Sequence, residues 1–317
     1  MPDLPAEFAF IARHFRPLAG AGALDLQDDA ALLLPVPGTE LVLAADAMVE
    51  SVHFLTDDPP RDLGRKLLRV NLSDLAAMGA DPVGYLLTLC VPPRCDDRFF
   101  EDFSNGLAAD QAEFGITLLG GDTTSTAGPL SMSLTVVGRV PRGAAVRRNG
   151  ARPGDGLFVT GTIGDGALGL LALRGEVADP GGYLADRYHL PRPRLGLAIR
   201  GLARAAIDVS DGLLQDAMHL CRASGVSVRI DAAKVPLSPA ARAAGPAHRE
   251  TCLAGGDDYE LLIAAGDDQA EALRRAASDY GCALTQIGVF QGGPPALVLL
   301  DEFGKGMTVD RHGFSHF

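Results

Sequence analysis

Apolar and polar positions along this chain alternate between two periods. Residues 41–45, LVLAA, form an unbroken apolar run that reads as a buried strand ending at Asp46. Residues 61–79 follow helical spacing, with Leu63, Leu67 and Val70 on one face and Gly79 as the stop. VGYLLTLCV (83–91) reads as a strand. Asp96 and Asp97 then open a helix to about Phe114, with Phe99, Phe100, Phe103, Leu107 and Phe114 at core spacing. ITLL (116–119) is a short strand running into GGDTTS, and LSMSLTVVGRV (130–140) alternates with period two.

The polar Gly/Pro stretch RRNGARPGDG (147–156) marks a domain boundary. Beyond it, LFVT (157–160) is a strand, followed by GTIGDG and a helix. AAIDVS (205–210) reads as a strand and 211–225 as a helix with Asp211-Gly212 at its N-cap. VSVRI, YELLIAA (259–265), a helix at 267–280 and ALTQIGVF (283–290) follow, then a hairpin-like tail ending RHGFSHF. Strands and helices intermix in both halves, so the fold class is α+β, or mixed α/β, in two domains.

Composition narrows the function. The chain has 317 residues, enough for two cores, and no apolar run of the roughly 20 residues a bilayer span needs. A net charge of −12 argues against nucleic acid and anionic membranes as partners. MPDLPAEF has neither the basic nor the apolar region of a signal peptide. Cys90, Cys95, Cys221, Cys252 and Cys282 are scattered without a C-x-x-C, as in reduced cytoplasmic proteins.

The acids are not scattered. They recur in QDDA (27–30), AADA (44–47), GGDTT (120–124), DVSDG (208–212) and GGDDYE (255–260). Asp74 sits on the apolar face of its helix, where an uncompensated carboxylate costs several kcal/mol. Converging carboxylates take up protons unless cations hold them together, and oxygen-only ligands favour hard ions. Mg²⁺ needs few carboxylates when waters and phosphate oxygens complete its shell. The pattern therefore points to a multi-Mg²⁺ site for a polyanion, most simply a nucleoside triphosphate. Arg147 and Arg148 are the best-placed arginine candidates. No G-x-x-x-x-G-K-[ST] is present, and GTIGDG reads as a tight strand–helix turn rather than a dinucleotide fingerprint.

The ordered series QDDA, AADAMVESVHF, KLLRVNLSDLAAMGADP, LLGGDTT, RRNGARPGD, VTGTIGDGALG, IDVSDGL, GGDDYEL and HGFSHF, from about Phe8 to Phe317, resembles the thiamine-monophosphate kinase family. That family lies within the superfamily typified by aminoimidazole ribonucleotide synthetase. The resemblance implies transfer of the γ-phosphoryl group of ATP to thiamine monophosphate, giving thiamine diphosphate, by direct in-line displacement assisted by several Mg²⁺ ions. It implies a homodimer joined through an N-terminal ATP/Mg-binding domain, residues 1–146, and a C-terminal α+β domain, 147–317, that completes the active site. By the same resemblance Asp29, Asp46, Asp74, Asp122, Asp208 and Asp211, with the Ala45 carbonyl, look like metal ligands. Gly121, Asp122, Arg148 and Ser210 look like ATP contacts, and His53, Asp257 and Phe314 like contacts to thiamine monophosphate. No acid or base is assigned, because the attacking phosphate oxygen is already ionised; Asp74 is expected to be the most critical carboxylate.

Three positions depart from the family pattern. Gln27 stands where Gly is usual, Ala44-Ala45 replace a hydroxyl pair while keeping their carbonyls, and Asp257 stands where Glu is commoner. Two other functions remain compatible with these residues: another small-molecule kinase or synthetase of the superfamily, and a Mg-nucleotide-binding relative without turnover.

Overall fold

In the computed structural model, which describes residues 6–309 and 313, the chain forms two compact units. The first comprises residues 1–75 and 80–143; the second comprises 76–79 and 144–317.

The first unit opens with α1 (Ala6–His14) and contains β1 (Thr39–Val49), α2 (Pro60–Ala77), β2 (Asp81–Val91), α3 (Asp97–Phe114), β3 (Leu118–Ser125) and β4 (Ser131–Pro141). Its sheet has the order β1-β4-β2-β3, antiparallel except for the parallel β2/β3 pair. The period-two residues sort as the pattern requires. Val42, Met48, Tyr85, Leu87, Met132, Leu134 and Val136 are buried, whereas Leu41, Leu43 and Leu86 remain exposed. α2 begins with Pro60, whose missing N–H costs nothing in a first turn. α3 begins as its sequence predicts: Asp96 caps it by accepting from the Phe99 N–H at 2.9 Å, and Gly115 ends it in the left-handed region. The two helices approach closely at paired glycines. A Cβ on Gly64 would lie 2.4 Å from the Phe103 carbonyl oxygen, and one on Gly106 2.0 Å from that of Arg61. Arg65 and Arg69 of α2 bind the fully buried Asp110 of α3, at 2.7 Å and 2.6 Å, and both reach Glu113.

The strand expectations need two corrections. β1 continues three residues past Asp46, so that acid is within a strand rather than at its end. The short strand expected at 116–119 likewise begins at Leu118 and runs on through GGDTTS as β3. Both continue because β4 and β2 run alongside and pair with them along their length, which a single-strand pattern does not reveal.

The second unit contains β5 (Gly156–Thr160), α4 (Asp165–Leu173), α5 (Tyr183–His189), β6 (Ala205–Asp208), α6 (Leu213–Ser224), β7 (Ser227–Asp231), α7 (Pro239–Ala243), α8 (Arg249–Ala254), β8 (Leu261–Ala265), α9 (Asp267–Tyr280), β9 (Leu284–Gln291) and β10 (Ala296–Leu300). Its mixed sheet runs β10-β7-β9-β5-β8-β6. β5, apolar up to Thr160, and the fully apolar β8 lie inside the sheet and are buried along their lengths. One core cluster includes Leu157, Val159, Ile207, Leu214, Leu220 and Ile230; another includes Phe158, Leu261, Ile263 and Leu273. The tail is hairpin-like only locally: β10 pairs parallel with β7, then Leu300 bridges Gly306 across a turn closed by Asp301 N–H donating to the Lys305 carbonyl at 2.8 Å. Among the described residues no helix is long and apolar enough to cross a membrane, and the five cysteines are free thiols.

Candidate active site

In the first unit Asp46 is tied to the helix that carries Asp74. From Lys66 to Ala77 every residue of α2 is buried except Asp74, which is half-buried. The apolar face carrying Leu63, Leu67 and Val70 thus opens at this one carboxylate. One turn earlier, Asn71 is fully buried. Its Oδ1 accepts the Asp46 backbone N–H at 3.0 Å, and its Nδ2 donates to the Leu67 carbonyl at 2.9 Å. Residues three apart on a helix are neighbours, so this bond ties Asp46 to the turn before Asp74. The Asp46 N–H is turned away from β4. By the alternation of an antiparallel ladder, Ala45 therefore faces β4 at Thr135, and an ion reaches its carbonyl only through the lone pair the ladder leaves.

Across the sheet, Asp46 pairs with Leu134, Leu134 with Leu87, and Leu87 with Gly121. Asp122 lies one row further, opposite Thr88. Three strand spacings, about 14 Å along the sheet, separate the row's two ends. Asp29 is exposed in a bend just after Leu24, Asp25 and Leu26, three consecutive left-handed residues. His53 is half-buried, and its Nδ1 accepts the Val49 N–H at 3.0 Å. The neutral ring then carries its proton on Nε2, a donor suited to a phosphate oxygen.

The second unit gathers a separate acid cluster. Asp208, 4% exposed, ends β6, and Asp211, Asp216 and His219 bring ligand atoms within 4.8 Å of one another. Asp211 does not cap α6. Gly212 occupies that position, and Asp216 instead accepts the N–H groups of Asp211 at 3.2 Å and Gly212 at 3.1 Å. The reason is steric: Gly212 has φ +128°, and a Cβ there would meet the Ala254 carbonyl oxygen at 2.6 Å. Burial, then the charges of Asp208 and Asp211, push the Asp216 carboxyl up to about 8. His219 is held below its usual value by burial and by Arg148 and Arg222, with Asp211 opposing. Gln215 donates to Asp211 at 3.0 Å, and Gly313 packs so closely on Gln215 that a Cβ would lie 2.4 Å from its Oε1. Phe314 lies outside the described residues.

GGDDYEL is joined to IDVSDGL by backbone bonds. Asp257 N–H donates to the Ser210 carbonyl, Tyr259 N–H to that of Val209, and Val209 N–H to that of Glu260, at 2.8–2.9 Å. Ser210, Asp211 and Asp257 are thereby neighbours. Asp257 and Tyr259 both have positive φ, 69° and 51°, a conformation L-residues adopt at a cost. The buried Asp258 accepts the Gly164 N–H at 2.7 Å and the Gly166 N–H at 3.0 Å. GTIGDG is thus a strand–helix turn whose amides are taken by an internal carboxylate, which is why it fails as a phosphate loop.

Comparison with known proteins follows the same division. Residues 27–140 match the AIR synthase related protein N-terminal domain and 152–299 its C-terminal domain. The thiamine-monophosphate kinase of Caulobacter vibrioides is 48% identical over 98% of this chain and 91% of its own. The chain belongs to the thiamine-monophosphate kinase family. Among solved structures, the family member from Stenotrophomonas maltophilia superposes with a TM-score of 0.83 at 40% identity, covering 95% of this chain and 98% of that one. AaThiL complexed with AMPPCP and TMP gives 0.77 at 30% identity, covering 96% and 98%. The two-domain α+β fold expected from the motifs is the family's fold.

Sequence reasoning did not single out Asn71, Asp216, His219 or Asp258. For Asp216 a signal was present: it shares an apolar helical face with Leu213 and Leu220, the criterion that marked Asp74.

Proposed function

We propose that the protein transfers the γ-phosphoryl group of ATP to the phosphate of thiamine monophosphate, releasing ADP and thiamine diphosphate. The observation that carries this is the near full-length likeness to AaThiL, solved with AMPPCP and TMP. Asp29, Asp46, Asp74 and Asp122 of the first unit, and Asp208 and Asp211 of the second, are read as holding Mg²⁺. Their chemistry fits: the donors are carboxylate oxygens, crowded enough around Asp211 that one is pushed toward its protonated form. Asp46 and Asp122 are too far apart along the sheet for one ion, so they are taken as ligands of separate ions. When bound, Mg²⁺ supplies charge neutralisation between the two anionic substrates. The chain's own residues orient them. Gly121, Arg148 and Ser210 contact ATP, while His53, through Nε2–H, Asp257 and Phe314 contact thiamine monophosphate. The nucleophile is an ionised phosphate oxygen, so no side chain needs to remove a proton. The exposed Leu41, Leu43 and Leu86 on one sheet face support a homodimer through the first unit. The free thiols and acidic charge support a cytoplasmic protein without nucleic-acid or membrane partners.

The test is to incubate the folded protein with ATP, Mg²⁺ and thiamine monophosphate and to assay thiamine diphosphate and ADP. Equal amounts of both are expected; no product from folded protein overturns the reading. The Ala44-Ala45 pair favours one rival, Mg-ATP binding without turnover. Turnover that Asp74→Asn abolishes, with the fold retained, removes that rival.

A further inference from the structure

The motif GGDDYEL carries three acids in four residues, and the chemistry above uses only Asp257. Glu260 is fully buried and accepts from Thr160 Oγ1 at 2.6 Å and from Arg194 Nε at 2.6 Å, with Arg187 at 3.3 Å. That is a structural ion cluster. Asp258 differs. Its carboxylate is 0% exposed, and its two oxygens each take one backbone amide, both from the turn that opens α4. The same turn meets Asp257 from the other side: a Cβ on Gly166 would lie 2.3 Å from the Asp257 carbonyl oxygen. Arg187 Nη2 donates to the Asp258 carbonyl at 3.2 Å, fixing the peptide that follows Asp258. Asp257 is therefore held in its left-handed conformation by Gly166 and by its neighbour's carboxylate, with its own N–H on Ser210 and its Oδ1 accepting from the Tyr259 hydroxyl at 3.3 Å.

We propose that Asp258 is a positioning residue for the acceptor substrate: by bridging the Gly164 and Gly166 amides it sets where the Asp257 carboxylate points, without touching substrate itself. The inference rests on Asp257 being a thiamine monophosphate contact. A relaxed Asp257 would return to negative φ and swing its side chain off line, because nothing intrinsic to an Asp favours φ +69° by enough to hold it. A nucleotide contact made by Arg148 is not tied to this turn by any of these bonds.

The experiment is a steady-state comparison of wild type, Asp258→Asn, Asp257→Ala and the double variant, with each substrate varied in turn. Asn keeps the shape but presents an NH₂ to one of the two amides. The expected result is a KM for thiamine monophosphate raised about tenfold, a KM for ATP within about twofold, and no further rise when Asp258→Asn is added to Asp257→Ala. A change in both KM values, in neither, or an additive double variant overturns the inference. If Asp258→Asn does not fold, amide hydrogen exchange of wild-type Gly164 and Gly166 decides instead. Saturating thiamine monophosphate slows both if Asp257 and the bridge are coupled, and leaves them unchanged if they are not. A wild type that makes no thiamine diphosphate overturns the function and the inference together; an active wild type with unaffected variants overturns the inference alone.

Discussion

Replacing Asn71 separates two ways in which Asp46 could be placed, by its strand or by the helix beneath it. Asn71→Ala removes two hydrogen bonds, to the Asp46 N–H and the Leu67 carbonyl, at a site with no exposure. Each contributes about 1 kcal/mol net, and the orphaned Asp46 amide and the small void add a comparable amount, giving about 3 kcal/mol in all. In a protein of this size that lowers Tm by roughly 5 °C. The functional effect should exceed the structural one: with Asp46 no longer tied to the turn before Asp74, the Mg²⁺ concentration for half-maximal activity rises about tenfold or more. Asn71→Asp makes the converse case. It keeps an acceptor for Asp46 but adds a charge one turn from Asp74, a repulsion of about 3 kcal/mol at 6 Å and an effective dielectric of 20. That variant should be unstable without Mg²⁺ and regain more stability on Mg²⁺ addition than the wild type does. Thermal melts with and without Mg²⁺, alongside Mg²⁺ titrations of turnover, supply both numbers. An Asn71→Ala protein with wild-type Mg²⁺ dependence would refute the reasoning, because the strand alone would then place Asp46.

Asp74→Asn should abolish thiamine diphosphate formation, with a far-UV spectrum and Tm close to wild type, since the half-buried position tolerates the isostere. Leu41→Asp with Leu43→Asp, on the exposed sheet face, should convert a dimer to a monomer in light scattering. Burial, opposed by two amide bonds and Arg187 and assisted by Asp165, raises the Asp258 carboxyl to about 8. A carboxyl bound more tightly to its proton in the folded state contributes fully below its unfolded pKa and loses that contribution as pH climbs through the folded value. Denaturant stability at low salt should therefore decline from pH 4 toward pH 8, and Asp258→Asn should flatten that slope. Cys252, whose thiol burial pushes to about 12, stays neutral across this window.

The regular elements were legible because their periods are local. α3 carries its own cap, its own apolar stripe and its own glycine stop, and it spans the residues its pattern marks. Asp74 was legible too, as the polar break in an apolar helical face, and it is the half-buried residue of that stretch. What supports the acids was not. Asn71 and Asp46 are 25 positions apart, and Asp258 and Gly164 are 94 apart. A buried Asn or Asp that satisfies a distant amide has the same letter as one facing water, so the sequence does not separate them. Asp46 and GGDTT looked like strand ends for a related reason: polar letters inside a strand read as breaks until the neighbouring strand is known.

α2 is encased along 66–77 apart from the Asp74 side chain. A carboxylate mounted in this way has little backbone freedom left to lose on ligation. With Asp74 in its proposed role as an ion ligand, core integrity and ion affinity in the first unit become one property rather than two. A cavity made at Leu67 or Leu72, both without exposure, lets the helix settle and carries Asp74 with it. Substitutions well away from any substrate would thus register first as weakened ion dependence, and only later, as more accumulate, as loss of the fold.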